Sequence, residues 1–385
     1  MIRGLIKSGF ANTIGRAGLS RLAASAGGGH GLPLVLGYHR VAERFPHDSR
    51  ATIPSMLISR DMLRRHLEWT ARRFRFVTLD ELGASVESGE AFERRLAAVT
   101  FDDGYEDIYH VACPLLRQMG IPAAVFVVSD LVGTSRLQLH DRLYLIAARA
   151  LAASHSPEAD VRRMLLGAGL NPPSERWLRT AARDPFTLTG ALLKALPQDT
   201  IERSLTLLEY RFNIPVPVRA QHRAMSWEML QDLLHWGFTV GSHTRSHALL
   251  TNESESKVRE ETRGSRRRLE ARLGQPIRHF AYPDGRYDDV ALRAVANAGY
   301  RFAYTTCHHR DESYPNLTIP RKVLWERSCV DTRGRFSPAI LECQVHSMFD
   351  LFSRCRQHHR LAASPSLARS KPSFGIQPHE RLEHT

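Results

Sequence analysis

The chain has 385 residues, 43% of them hydrophobic, enough for one large α/β domain with attachments or for two domains of ordinary size. Its five Cys are odd in number, widely spaced and never C-x-x-C, which argues against a disulfide framework or a thiolate zinc site and favours a reducing compartment. A net charge of +13 favours anionic surfaces, but Lys and Arg are spread along the whole chain without a recognisable nucleic-acid module, so no nucleic-acid partner is expected.

Residues 1–31 lack Asp and Glu and carry Arg3, Lys7, Arg16 and Arg21 opposite Ile2, Leu5, Ile6 and Phe10. This pattern predicts a basic N-terminal arm able to make peripheral contact with an anionic membrane, ending in a Gly-rich joint at 26–31. No apolar core of signal-peptide length and no transmembrane run follow, so the expected location is the cytoplasm, at the inner face of the membrane. Residues 32–41 then read as an apolar strand that ends in a polar group, His39. Ser59 suits the N-cap of an amphipathic helix over 59–75, and 76–79 reads as a short strand.

The run Leu96-Ala97-Ala98-Val99-Thr100-Phe101-Asp102-Asp103-Gly104-Tyr105 is apolar until it meets two carboxylates and a glycine. It predicts a buried strand whose carboxyl end carries Asp102 and Asp103 at the rim of a sheet or barrel, where α/β enzymes keep their chemistry. Side-chain alternation sends the two carboxylates to different sides, so one can bind a metal while the other takes a proton. A helix over 109–119, closed by Gly120, and a buried strand over 123–128 complete a strand, helix, strand alternation that argues for parallel α/β architecture.

Residues 134–224 break that rhythm. Helical patterning at 139–153, 157–165 and 200–212, punctuated by Pro172-Pro173, Pro185 and Pro215-Val216-Pro217, predicts a helical insertion that serves as a lid or a docking surface. The α/β pattern resumes with a helix begun by Ser226 and a strand over 238–242 leading into His243-Thr244-Arg245-Ser246-His247. A polar helix over 254–273 stops at Gly274; a strand and turn at 279–285, a helix to Gly299 and strands at 301–306 and 317–321 close the set. From about residue 353 the chain reads as a basic, poorly ordered tail.

His243 and His247 stand four apart, so in a helical or turn conformation their imidazoles converge on one side. With an Asp carboxylate they make a set that suits zinc or another divalent ion and leaves positions open for water and substrate. Cys307-His308-His309 looks like a further ligand cluster, but its loop setting favours a solvated loop.

Taken in order, Thr100-Phe101-Asp102-Asp103-Gly104-Tyr105, His243-Thr244-Arg245-Ser246-His247 and Phe280-Ala281-Tyr282-Pro283-Asp284-Gly285 resemble three signature motifs of the polysaccharide deacetylase family. The resemblance runs from about Leu34 to Arg321, excluding most of the insertion. It implies a distorted (β/α)7 barrel over 32–335, interrupted at 134–224 and followed by an extension over 336–385. It also implies metal-dependent removal of acetyl groups from an N-acetylated polysaccharide, oligosaccharide or lipid-linked glycan precursor. Residue by residue, Asp103, His243 and His247 would bind Zn2+ or another divalent metal, and Asp102 would be the general base. The Tyr282, Pro283 and Asp284 turn would offer an oxyanion N–H. Tyr38-His39-Arg40-Val41 resembles the start of a permuted branch acting on poly-N-acetylglucosamine, which makes His39 the general acid in place of a C-terminal Leu-x-His motif that this chain lacks. The third motif also departs from the family's Arg-x-Pro-Tyr, with Ala281 where the base-orienting Arg would stand; Arg321 or Arg286 could replace it. Two alternatives share these residues: an amidohydrolase acting on a small N-acyl compound, and a non-catalytic basic protein that binds membrane or glycan on a retained barrel.

Overall fold

The apolar runs at 34–38, 96–101, 123–127, 279–281 and 302–305 become strands that are buried on both faces, as parallel sheets require. The structure, a computed structural model, describes residues 33–46, 51–88, 95–172, 174–308 and 310–349. The arm and Gly-rich joint expected at 1–31 and the basic tail expected from 353 lie outside the described residues. Among the described residues no helix is long and apolar enough to cross a membrane.

In chain order the strands are β1 (Leu34–Tyr38), β2 (Arg40–Ala42), β3 (Leu57–Ser59), β4 (Arg75–Phe76), β5 (Leu96–Phe101), β6 (Ala123–Val127), β7 (Thr239–Ser242), β8 (His279–Ala281), β9 (Phe302–Thr305), β10 (Ile319–Pro320) and β11 (Lys322–Val323). β2 and β3 form a small separate pair. The main sheet is parallel and runs β10, β9, β8, β7, β6, β5, β1, β11, with β4 added beside β5. Its two ends meet, because β10 pairs with β9 and β11 pairs with β1 while a single residue, Arg321, separates them. The Arg321 N–H donates to the Thr305 carbonyl at 2.8 Å, and the next N–H but two, from Leu324, donates to the Gly37 carbonyl at 2.8 Å. One extended run thus crosses from the last strand to the first and closes a barrel, as the (β/α) expectation requires.

The helices are α1 (Arg60–Ala71), α2 (Leu79–Ser88), α3 (Cys113–Met119), α4 (Leu139–Ala153), α5 (Pro157–Gly167), α6 (Glu175–Ala181), α7 (Pro185–Ala195), α8 (Gln198–Arg211), α9 (Val216–Gln221), α10 (Trp227–His235), α11 (Glu255–Leu273), α12 (Asp289–Asn297) and α13 (Pro338–Val345). Ser59, Ser226 and Ser254 cap α1, α10 and α11 with their side chains, as their positions in the sequence predict. Leu79, expected in a strand, starts α2 instead. Pro185, read as punctuation, opens α7: Asp184 accepts from the N–H groups of Phe186 and Thr187, and a proline at the first helical position has no bond to lose. Tyr109 falls in a π-helical turn, Ile108–Ala112, ahead of α3.

The six helices α4 to α9 lie between β6 and β7 and hold their own apolar cluster, which includes Leu143, Ile146, Leu165, Leu178, Leu188 and Leu205, with Ile53 joining from the β2 to β3 connection. They are tied to the barrel at both ends. Gln138 donates from Nε2 to the Asp103 carbonyl at 3.1 Å, and the Met225 N–H donates to the Gly104 carbonyl at 2.8 Å. Trp227 packs against the barrel core with Arg272 over its ring, so it is a packing residue rather than a sugar platform. His346 caps the end of α13.

Candidate metal centre and catalytic site

β5 ends at Phe101, and the two carboxylates follow it immediately. Strand alternation is not what separates them. Asp103 adopts φ 71 and Gly104 φ 70, so the backbone turns left-handed and swings the second carboxylate away from the first. Glycine is required next because a Cβ on Gly104 would stand 2.8 Å from Val127 Cγ1. Thr244 (φ 69), His247 (φ 63) and Asp284 (φ 54) share this uncommon conformation, so four of the five described non-glycine residues with positive φ surround one site.

The loop after β7 is not helical. The Thr244 Oγ1 accepts from the His247 N–H at 2.9 Å, and the resulting turn brings both imidazoles to Asp103. Nε2 of His247 and Nε2 of His243 lie 3.3 and 3.8 Å from Asp103 Oδ1. His243 Nδ1 donates to the Ala281 carbonyl at 2.7 Å, which fixes the tautomer and leaves Nε2 as a lone pair. The ligand atoms of Asp103, His243 and His247 all lie within 4.8 Å of one another. Both Asp103 carboxylate oxygens are buried with no hydrogen-bond partner. Lone pairs converging on an unpartnered buried carboxylate repel unless a cation lies among them, so these three residues fit a divalent metal. Burial pushes the Asp103 carboxyl up, with the charges of Asp102 and Asp141 adding to the effect; burial lowers His243 to about 4 and His247 well below its ordinary value. Neutral imidazoles are the form that ligates.

Asp102 has different company. Arg321 donates to both of its oxygens, NH1 to Oδ1 and NH2 to Oδ2, each at 2.7 Å. Burial alone would raise the Asp102 carboxyl, but Arg321, with His243 and His39 adding to it, outweighs burial and holds it at about 2. Of the two arginines expected to orient this carboxylate, the structure brings Arg321 to it; Arg286 lies near Asp284, whose carboxyl feels its charge. His39, just beyond β1, places Nε2 4.0 Å from Asp102 Oδ2, and burial lowers it to about 4 against the pull of Asp102.

The Tyr282 to Asp284 turn has one N–H left to offer. The Tyr282 N–H is spent on the Tyr304 carbonyl at 3.1 Å and Pro283 has none, so only the Asp284 N–H remains to face a substrate oxyanion. In the Cys307 cluster, Cys307 is buried and His308 exposed, and neither joins the group formed by Asp103, His243 and His247; His309 lies outside the described residues.

Four further residues of the site carry no signal in the sequence: His140, Asp141, Glu261 and Gln198. His140, at the start of α4, lies 3.8 Å from Asp103 Oδ2, and its ring meets that of His247 edge to face at 4.8 Å. Its Nε2 is 2.8 Å from the Tyr105 hydroxyl, which donates to Asp141 Oδ2 at 2.7 Å. Burial raises the Asp141 carboxyl, but His222, His140 and Arg40 outweigh it, so it stays a buried carboxylate. Glu261 on α11, also buried, accepts from the N–H groups of Arg245 and Ser246 at 2.9 Å each and from Ser246 Oγ at 2.6 Å, and so holds the loop between His243 and His247. Gln198 bonds the same Ser246 from the inserted helices, Nε2 to its carbonyl at 3.1 Å. No periodicity or motif marks these residues; only the fold brings them together.

A cavity of about 320 Å³ opens in front of these groups, lined at its floor by His39, Asp102, Asp103, His140 and His247. Lys194 of α7 reaches across its mouth to Asp284, 3.9 Å away.

A parallel barrel closed at an arginine, with an Asp pair and a His pair at its carboxyl rim, defines a class of metal-assisted hydrolase scaffold. The polysaccharide deacetylase family profile matches residues 89–165 and 196–303, on either side of the middle of the insertion. The matched residues thus form a polysaccharide deacetylase domain. Over 110 residues it is 28% identical to the poly-beta-1,6-N-acetyl-D-glucosamine N-deacetylase of Staphylococcus epidermidis, covering 26% of this chain and 38% of that protein. A protein of the same name from Staphylococcus aureus is 30% identical over 108 residues, which is 26% of this chain and 37% of that one. The aligned stretch thus spans well under half the length of these relatives. The solved structure of Streptococcus pyogenes deacetylase PplD in complex with acetate superposes with a TM-score of 0.51 at 16% identity, over 81% of this chain and 97% of that one, which shows a common fold.

Proposed function

We propose that this protein hydrolyses the N-acetyl amide of an N-acetylated glycan or of a lipid-linked glycan precursor. The observation that carries the reading is the buried Asp102 and Arg321 pair beside the unpartnered carboxylate of Asp103 and its two imidazoles. Asp103, His243 and His247 would hold the ion, zinc being the metal this one-carboxylate, two-imidazole set suits. Once bound, it would polarise the amide carbonyl and acidify the attacking water.

This chain's own groups supply the rest. Asp102 accepts the proton of the attacking water, and Arg321 keeps both carboxylate oxygens in one orientation while it does so. His39, whose Nε2 is 4.0 Å from Asp102 Oδ2, would receive that proton through one intervening water and pass it to the departing amine. The Asp284 N–H, which has no partner in the turn, would donate to the oxygen that gains charge. The overall step is balanced by one water: the amide C–N bond breaks, acetate takes the hydroxyl and the amine takes the proton.

Acetate release from N-acetylglucosamine oligomers, with and without a chelator, tests the reading. Release that stops with the chelator and returns with zinc is expected; unchanged release in metal-free protein overturns the mechanism. The modest volume of the cavity, about 320 Å³, favours one second reading, a small N-acyl compound as substrate, in which case monomeric amides are turned over and oligosaccharides are not. We also place the protein in the cytoplasm in peripheral contact with anionic lipid, a reading supported by the charge of +13 and the acid-free residues 1–31. Fractionation of cells checks it, and recovery outside the cell would refute it.

A further inference from the structure

The cavity over Asp102 has a polar floor and an apolar wall. The wall comes largely from the inserted helices: Leu139 on α4, Phe186 and Leu193 on α7 and Ile201 on α8, facing Ile53 and Trp325. It is fixed in place over the reacting groups. Asn252 Nδ2 donates to the Leu193 carbonyl at 2.9 Å, and Gln198 at the start of α8 is bonded to Ser246 between His243 and His247. The wall is therefore continuous with the site that would hold the amide.

The same helices also bring Thr189, Lys194 and Gln198 to the cavity, enough to meet a few polar groups of one sugar. A hydroxyl turned toward the Leu, Ile and Phe side chains gives up water for no partner, which opposes binding of a bare sugar strand along that wall. An aliphatic chain in the same place gains about fourfold in affinity for each methylene buried.

We propose that the chamber takes the aliphatic part of an amphiphilic substrate, an N-acylated amino sugar bearing an alkyl chain, and that the inserted helices select it over a free polysaccharide strand. Turnover of that substrate rests on the amide-hydrolase reading; binding of its chain does not. The chain enters either as the aglycone of the sugar or as a longer N-acyl group, and both present the same methylenes to Phe186 and Leu193.

The full-length protein is titrated with octyl N-acetylglucosaminide below its micelle concentration, with methyl N-octanoylglucosaminide and with methyl N-acetylglucosaminide. Binding is read from tryptophan fluorescence, with Trp325→Phe as the control that should lose the signal, and hydrolysis from amine release. At least one octyl compound should bind tenfold or more tightly than the methyl glycoside, roughly the value of two buried methylenes. Which of the two it is identifies the end that carries the chain. Phe186→Ser, at an exposed position that tolerates the change, and Leu193→Ser should each lower that ratio several-fold. Equal affinity for all three compounds, or tighter binding of an N-acetylglucosamine oligomer, overturns the proposal. Tight octyl binding without hydrolysis of any compound supports the chamber and sinks the deacetylase reading, whereas deacetylation of oligomers with no octyl preference does the reverse.

Discussion

Arg321 and Asp102 are 219 positions apart in sequence, yet the guanidinium of one grips both oxygens of the other at 2.7 Å, with neither exposed to solvent. Removing one partner of a buried pair leaves an uncompensated charge. Arg321→Ala should therefore lose about 3 to 5 kcal/mol of stability in urea unfolding. Arg321→Lys keeps the charge but not the two-point grip, so kcat should fall at least tenfold while bound metal stays at the native level. A lysine variant with native kcat would show that orientation of Asp102 does not matter.

Metal content separates the two carboxylates. Asp103→Asn, His243→Ala and His247→Ala should each lose bound metal by elemental analysis of the purified protein. Asp102→Asn should keep the metal and show no measurable turnover, and His39→Ala should keep it and lose about 100-fold or more in kcat. Metal loss from Asp102→Asn would reverse the division of roles.

Glu261 offers a test of loop support away from the ligands themselves. Its carboxylate takes two backbone N–H groups and a hydroxyl from the His243 to His247 loop. Glu261→Ala should weaken metal affinity by about 10- to 100-fold, measured by calorimetric titration. Unchanged affinity would mean that the left-handed turn holds without it.

Acid stability should carry the mark of His66 on α1, a buried imidazole that shares a hydrogen bond with the Tyr38 hydroxyl at 3.3 Å. Burial lowers its pKa to about 3. The folded state thus keeps it neutral while the unfolded chain binds a proton below about 6.5, so unfolding gains a proton and stability falls as pH drops from about 6.5 toward 3. Its share between pH 6.5 and 5 is about 2 kcal/mol. In His66→Leu the drop in unfolding free energy over that interval should be smaller by this amount; an identical drop would exclude His66 as a contributor.

Much of the barrel was legible because its signals are local. Strand ends, Ser caps and left-handed glycines such as Gly120 and Gly274 act within a few residues, and the helix expected at 139–153 is found as Leu139–Ala153. Of the missed helices, α6 has only seven residues, and α7, α9 and α13 carry an early proline that reads as a break when no structure shows it to be an opening.

The same division runs through the site. The ordered Asp-Asp, His-x3-His and Tyr-Pro-Asp elements were determined by the sequence itself, because each is a cluster of chemically distinctive side chains joined by a few bonds. Which arginine serves Asp102, which N–H of the Tyr282 turn is still unspent, and that the inserted helices bring His140 and an apolar wall to the metal centre were decided only by tertiary structure. These depend on barrel closure at Arg321 and on helix docking, long-range contacts whose energies are summed over the packed fold and leave no periodic trace in the chain.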